Sequence, residues 1–266
     1  MKEQRKWQGA VKNLYLLLVF IFLYLPIGVI VVFSFNTSRM NILFEGFTTE
    51  WYRSVFKNAI LMEALRNSLF VGVASTILAT VIGTLGALGM HKYQFPGKRM
   101  LDKLIYIPMV IPEVVLGIAL LSIFSLSGIG LSLGTLILGH VTFCIPFVLL
   151  NVRARLAGMD ACLEEAALDL GATPIKAFFF VILPAIAPAI GSGAILSFTL
   201  SLDDVIVSFF TTGPDSMTFP LKILSMVKTG VTPEVNAITT LLMLVLVVLI
   251  IGNALMQIRK IKKRAE

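Results

Sequence analysis

An all-helical membrane protein with six spans is what this sequence predicts, and three observations predict it. Of 266 residues, 57% are hydrophobic and only 14% charged, against roughly 45–50% and about 25% in a soluble domain. The apolar residues fall in six runs, each close to or above the ~20 residues that a spanning helix needs. Lysine and arginine gather in alternate segments between those runs.

The runs are Leu14–Phe35, Ser68–Met90, Leu104–Leu126, Leu131–Val152, Phe178–Leu202 and Ala237–Met256. The first is longer than a signal-peptide core and has no small-residue cleavage pattern before Asn36, so it is expected to stay as a span. If the N-terminus (1–13) is cytoplasmic, so are Lys2, Arg5, Lys6 and Lys12, then Lys92, Lys98, Arg99 and Lys103, then Arg153, Arg155 and Lys176. The tail, 259–266, adds Arg259, Lys260, Lys262, Lys263 and Arg264 as a juxtamembrane anchor. Only Arg39, Arg53, Lys57, Arg66, Lys222 and Lys228 would lie outside. The positive-inside rule therefore puts both ends in the cytoplasm, as an even number of spans requires. The membrane-spanning region proper is 14–258, and the net charge of +7 is a topology signal, with no basic, aromatic-interleaved surface for nucleic acid.

Two features suit the spans to packing and bending. Ser75, Ala79, Gly83 and Ala87 recur every four residues, a small-residue stripe that lets another helix come close in lipid. Pro26, Pro108, Pro112, Pro146, Pro184 and Pro188 lie in or beside spans, each removing a helical donor and freeing a carbonyl.

Other classes are thinned out by what is missing. Cys144 falls in a span and Cys162 on the cytoplasmic side, so no disulfide is expected. With only His91 and His140 there is no zinc-protease helix motif, and along the chain no nucleophile adjoins an obvious base. Gly97-Lys98 is followed by Arg99 and lacks the earlier glycine of a phosphate-binding loop, so ATP is not bound by that route. No inverted repeat relates the two halves, which argues against a self-sufficient secondary transporter. Work done by this chain is powered by a gradient or by another subunit.

Between the fourth and fifth runs the chain turns polar. Leu163, Ala166, Ala167 and Leu170 follow the spacing of one apolar helix face, and Asp160, Glu164, Glu165 and Asp169 occupy the rest. Gly171 can take the left-handed conformation that ends a helix, and Thr173-Pro174 offers a cap and a first-turn proline for the next. The prediction is a short helix, a sharp turn and a helix that runs through Phe178 into the membrane. A helix lying on headgroups presents Lys and Arg; this one presents acids, which suits a protein cleft better.

Glu165-Ala166-Ala167, then Gly171, then Leu183-Pro184 resembles the EAA loop of ATP-binding cassette importer permeases, with Val181 where the pattern has isoleucine. "SFN" at 34–36, "GFTTEWY" at 46–52, "LSFTLSLDDVIVSFFTTGP" at 196–214 and "LKILSMVKTGVTPEVNA" at 221–237 extend the resemblance to permeases of spermidine/putrescine importers. The resemblance implies a type I, methionine-importer-like fold with a cytoplasmic coupling helix (about 159–184) that docks on an ATPase subunit. Glu164, Glu165, Ala166, Ala167, Asp169 and Gly171 would then form the docking hook. It also implies a second homologous permease, two ATPase subunits that hold the ATP and Mg, and an extracytoplasmic polyamine-binding protein. The setting would be a bacterial cytoplasmic membrane, with no cofactor and no catalysis in this chain.

A protonated polyamine is a multivalent cation that hydrocarbon rejects and acids along a route would accept. Glu113, in the third expected span, is ionisable at membrane depth. Asp203 and Asp204, adjacent at the end of the fifth, sit in the block most like polyamine permeases. Trp51 and Tyr52, in the first external loop, could add ring faces for ammonium groups, or simply join an interfacial belt. Two other readings stay open: an importer of thiamine, iron or a phosphonate, which would keep the hook, and a gradient-driven carrier or channel, which would need no motor.

Overall fold

The computed structural model describes residues 2–38, 43–160, 162–230, 232–245, 247–248 and 251. The basic tail at 259–266 and Arg39 lie outside the described residues. Helices account for nearly everything described: α1 Lys2–Phe33, α2 Glu50–Lys57, α3 Ala59–Lys92, α4 Lys98–Ile105, α5 Ile107–Val110, α6 Glu113–Leu126 and α7 Leu133–Ala157. They continue as α8 Cys162–Asp169, α9 Pro174–Ala177, α10 Leu183–Asp203, α11 Ile206–Thr211, α12 Phe219–Thr229 and α13 Pro233–Val245. Two compact units divide the chain, one of residues 1–62 with 223–266 and one of residues 63–222.

Among the described residues four stretches are long and apolar enough to cross a membrane: Lys12–Phe33, Ala59–Lys92, Leu133–Ala157 and Pro174–Asp203. They hold the first, second, fourth and fifth expected runs. The third is not one helix. Lys98–Val110 and Glu113–Leu126 meet at 109°, because Ile111 precedes a proline and is forced extended (φ −69°, ψ 136°) while Pro112 can donate no hydrogen bond. Counted as one bent span, it makes five. Of the sixth run only the part within Pro233–Val245 and a few residues beyond is described.

In the first unit α1 ends at Phe33 and the chain doubles back through one antiparallel bridge, Asn36 to Phe47. Phe35 stacks on Phe47 with ring centroids 5.0 Å apart, and Asn36 donates from its amide to Leu43 O at 2.7 Å. Ser54 and Asn58 at the end of α2 both donate to Glu234 Oε1, at 3.1 and 3.2 Å, which ties α2 to the start of α13.

The second unit is a bundle built on small-residue stripes. Ser75, Ala79, Gly83 and Ala87 are all buried, as the four-residue spacing predicts. Gly83 lies against α7 so closely that a Cβ there would sit 2.9 Å from Val148 Cβ and 3.1 Å from Ile145 O. A matching stripe on α10, Gly193, Ser197 and Ser201, faces α7. A Cβ on Gly193 would sit 3.0 Å from Val148 Cα, and Ser197 Oγ donates to Cys144 O at 3.4 Å. Toward the α8 end, Met90, Val152, Leu156, Ile182 and Ile186 close the core.

Candidate functional site

The hook forms as its residues dictate. Asp160 Oδ1 accepts from Cys162 N–H at 3.0 Å and so starts α8. Gly171 takes φ +85°, open to glycine at little cost. Thr173 Oγ1 accepts from Lys176 N–H at 3.4 Å with Pro174 in the first turn of α9. One π-turn, 178–182, follows, in which Leu183 N–H reaches back five residues to Phe178 O. The wider turn makes room for Pro184, which has no N–H and would clash with the carbonyl four residues before it.

The apolar face of α8 exists, but this chain covers little of it. Ala167 is buried, whereas Leu163 and Ala166 are exposed and Leu170 is 89% exposed; beyond the turn Ile175 is 70% exposed. Glu165 and Asp169 also face outward. Glu164 differs from them: Lys92 Nζ, at the end of α3, donates to its Oε1 at 2.6 Å. Its carboxylate ties the hook to the end of α3 and stays 30% exposed.

Asp203 and Asp204, adjacent in sequence, part company in the structure. Asp203 ends α10 and is exposed. Asp204, its side chain only 5% exposed, turns inward and caps α11: Oδ1 accepts from Val207 N–H at 3.2 Å and Oδ2 from Ser208 N–H at 2.7 Å. These are donors in the first turn of α11 that the helix itself leaves unsatisfied.

The same carboxylate meets His140 of α7, whose Nε2 lies 3.5 Å from Asp204 Oδ2 and 3.0 Å from Ser208 Oγ. On the other side of the ring, Nδ1 is 2.6 Å from Ser201 Oγ, and Ser201 Oγ is 3.0 Å from Ser75 Oγ of α3. His140, Ser208 and Ser75 are fully buried and Ser201 nearly so. Four helices thus meet on one polar chain inside an apolar bundle. In the sequence His140 counts only against a zinc motif and Ser75 only toward a packing stripe, while Ser201 and Ser208 are not singled out. The one available signal was the four-residue spacing His140, Cys144, Val148, Val152, a buried face that begins on an ionisable residue. A serine, a histidine and an aspartate in contact also bring a hydrolase triad to mind, which the sequence spacing hid. Here the group is sealed from solvent, so no substrate reaches Ser201.

Among the described residues no hydrogen bond or ion pair joins Glu113 to this junction. Glu113 is the first residue of α6, exposed, just after the 109° break, where the helix dipole favours a carboxylate. Trp51 and Tyr52 lie in the first unit and are engaged there: Trp51 Nε1 donates to Asn36 O at 2.7 Å, and Tyr52 Oη shares a hydrogen bond of 2.7 Å with Ser34 Oγ. Their polar tips hold α2 against the end of α1. Among the described residues no group of three or more His, Cys, Asp or Glu could hold a metal.

A helical bundle with one sharply bent span and an acidic, uncovered hook between two others defines a class, and known proteins of that class match the chain. Residues 79–263 match the model of the binding-protein-dependent transport system inner membrane component, and the chain belongs to that family. It is 44% identical over 244 residues to the spermidine/putrescine transport system permease protein PotC of Escherichia coli K12, covering 92% of each chain. Its fold is that of a bacterial ABC transporter that imports the acidic polysaccharide alginate (TM-score 0.72, 16% identity, 95% of this chain and 96% of that one). The methionine ABC transporter MetNI is a further match (TM-score 0.60, 18% identity, 74% and 94%). The chain is therefore a permease component of an ABC importer, not its enzymatic subunit.

Proposed function

We propose that this chain is a transmembrane permease subunit of an ATP-binding cassette importer that moves spermidine and putrescine into the cytoplasm. The observation that carries the reading is 44% identity to PotC sustained over 92% of both chains. Under it the bent third span and the run from Pro233 complete six spans, with both termini cytoplasmic as the positive-inside rule requires. A second homologous permease, two ATPase subunits holding ATP and Mg, and an extracytoplasmic polyamine-binding protein complete the importer.

The hook is the contact with the motor. Ala166, Leu170 and Ile175 form an apolar surface with Glu165 and Asp169 beside it, a face that needs a partner to leave water. Ala167 and Gly171 give the hook its packing and its turn, and Glu164 holds it to α3. ATP binding would draw the two permeases' hooks together and open the pathway outward; hydrolysis would reset it. On the route, exposed Asp203 and Glu113 supply carboxylates for the ammonium groups, while Asp204 acts from behind. Trp51 and Tyr52 enter only through their ring faces.

The test is labelled spermidine and putrescine uptake in cells of the source with this chain deleted and no other polyamine importer. Energy-dependent uptake should vanish and return with the parent chain but not with Glu165→Lys. Undiminished uptake after deletion would overturn the polyamine reading and point to another small solute.

A further inference from the structure

We infer that His140 is a positioning residue for transport: through Asp204 it sets the break between α10 and α11, and the break aims Asp203 at the substrate. The inference rests on the proposed polyamine route at Asp203.

The hydrogen-bond accounting leads there. Asp204 has spent both oxygens, Oδ1 on Val207 N–H and Oδ2 on Ser208 N–H with His140 Nε2 beside it. It has little left to offer an ammonium group, and it is buried. Asp203 is exposed, and among the described residues nothing pairs with it. The direction in which it points is fixed by its neighbour, because α10 stops where Asp204 turns extended (φ −66°, ψ 129°) and folds its carboxylate inward to cap α11. Behind that carboxylate, 3.5 Å from Oδ2, stands the imidazole, hydrogen-bonded through Nε2 to the hydroxyl of Ser208, the residue whose N–H the carboxylate accepts. Ser201 in turn fixes the ring at Nδ1 and links it to Ser75. A buried polar group in a membrane bundle is retained where it specifies one arrangement, and this one specifies the arrangement of a charged pair.

The experiment uses the complete importer, purified with its ATPase and second permease and placed in lipid vesicles. His140→Ala, His140→Asn and Ser208→Ala are compared with the parent for spermidine transport per assembled complex, as both maximal rate and half-saturation. In a parallel set carrying Asp203→Cys and Cys162→Ser, the rate of modification of position 203 by a cationic thiosulfonate is measured. Loss of one partner in a buried hydrogen-bonded network, here the imidazole from the Ser208 hydroxyl, corresponds to a change of about tenfold. His140→Ala should therefore lower transport by about that factor and shift the reactivity at 203 several-fold. His140→Asn, which keeps a polar contact, should recover part of both. If His140→Ala does not assemble, Ser208→Ala, which removes one hydroxyl, decides. Variants that assemble with parental transport and parental reactivity at 203 would overturn the inference. Should Asp203→Asn transport normally while His140 variants still change reactivity at 203, the positioning stands and the polyamine route at Asp203 falls.

Discussion

In the hook, residues that act together are neighbours in the chain and face outward; in the junction around His140 they come from four helices and face inward. Glu165 and Gly171 are six positions apart on one turn of chain, whereas Ser75 and Ser201 are 126 apart and His140 and Ser201 are 61 apart. Exposure follows the same division, from Leu170 at 89% to His140 at 0%. A surface built from contiguous residues can be altered without disturbing the bundle, so its faults should appear in coupling to a partner. A buried junction cannot, so its faults should appear in the permease itself.

The largest expected effect tests the bundle side. Gly83→Leu places a side chain where even a Cβ would sit 2.9 Å from Val148 Cβ and 3.1 Å from two backbone atoms of α7. Helix backbones cannot yield as a flexible side chain can, so the cost should reach about 3 kcal/mol, the upper end for overpacking. Little intact permease should be extractable in mild detergent. Ala166→Leu, an enlargement by about three carbons on the exposed face of α8, should be extracted like the parent while ATPase recruitment suffers. Equal yields of the two would erase the distinction between the regions.

The same division explains what could be read from the residues alone. Local chemistry was legible: the glycine turn at 171, the Thr173-Pro174 start, and the small-residue stripe of α3, whose spacing alone marks a buried face. The bend at Ile111–Pro112 was half legible. Both prolines were noted, but the run from Leu104 to Leu126 is apolar apart from Glu113, and hydropathy cannot distinguish a straight span from a bent one. The candidate acids are named by residue type and separated by their surroundings in the structure. The two residues are chemically identical, and what separates them is the cap that Asp204 gives Val207 and Ser208 just downstream together with His140, far away in sequence, beside it. Trp51 and Tyr52 were candidates for ring faces toward a cation, yet the hydrogen bonds to Asn36 and Ser34 give them a structural task.

That sorting is sharpened by replacing the acids one at a time. Asp204→Ala strands two helix N–H groups inside the bundle. Leaving buried groups unpaired costs on the order of 2–4 kcal/mol, which thermal unfolding of the purified permease should register. Asp203→Ala, at an exposed position, should stay within about 0.5 kcal/mol of the parent and show its effect in uptake alone. Matching stability losses at the two positions would mean that the pair is not divided between a buried cap and an exposed charge.

The smallest effect lies where the two regions join. Lys92 and Glu164 form the ion pair that ties α8 to the end of α3, at 2.6 Å, but their side chains are 52% and 30% exposed. Water and salt screen such a pair, and holding two long side chains in one geometry offsets part of the attraction, so Lys92→Ala should cost less than about 1 kcal/mol. Raising ionic strength should weaken the parent toward the variant, because screening acts on the exposed pair and spares the buried junction. Recruitment of the ATPase should fall modestly, since the hook keeps its turn at Gly171 and its buried Ala167 while losing one tether. A loss as large as that of Asp204→Ala, insensitive to salt, would show that the end of α3 and the hook form a buried unit, and that exposure does not separate the coupling surface from the core.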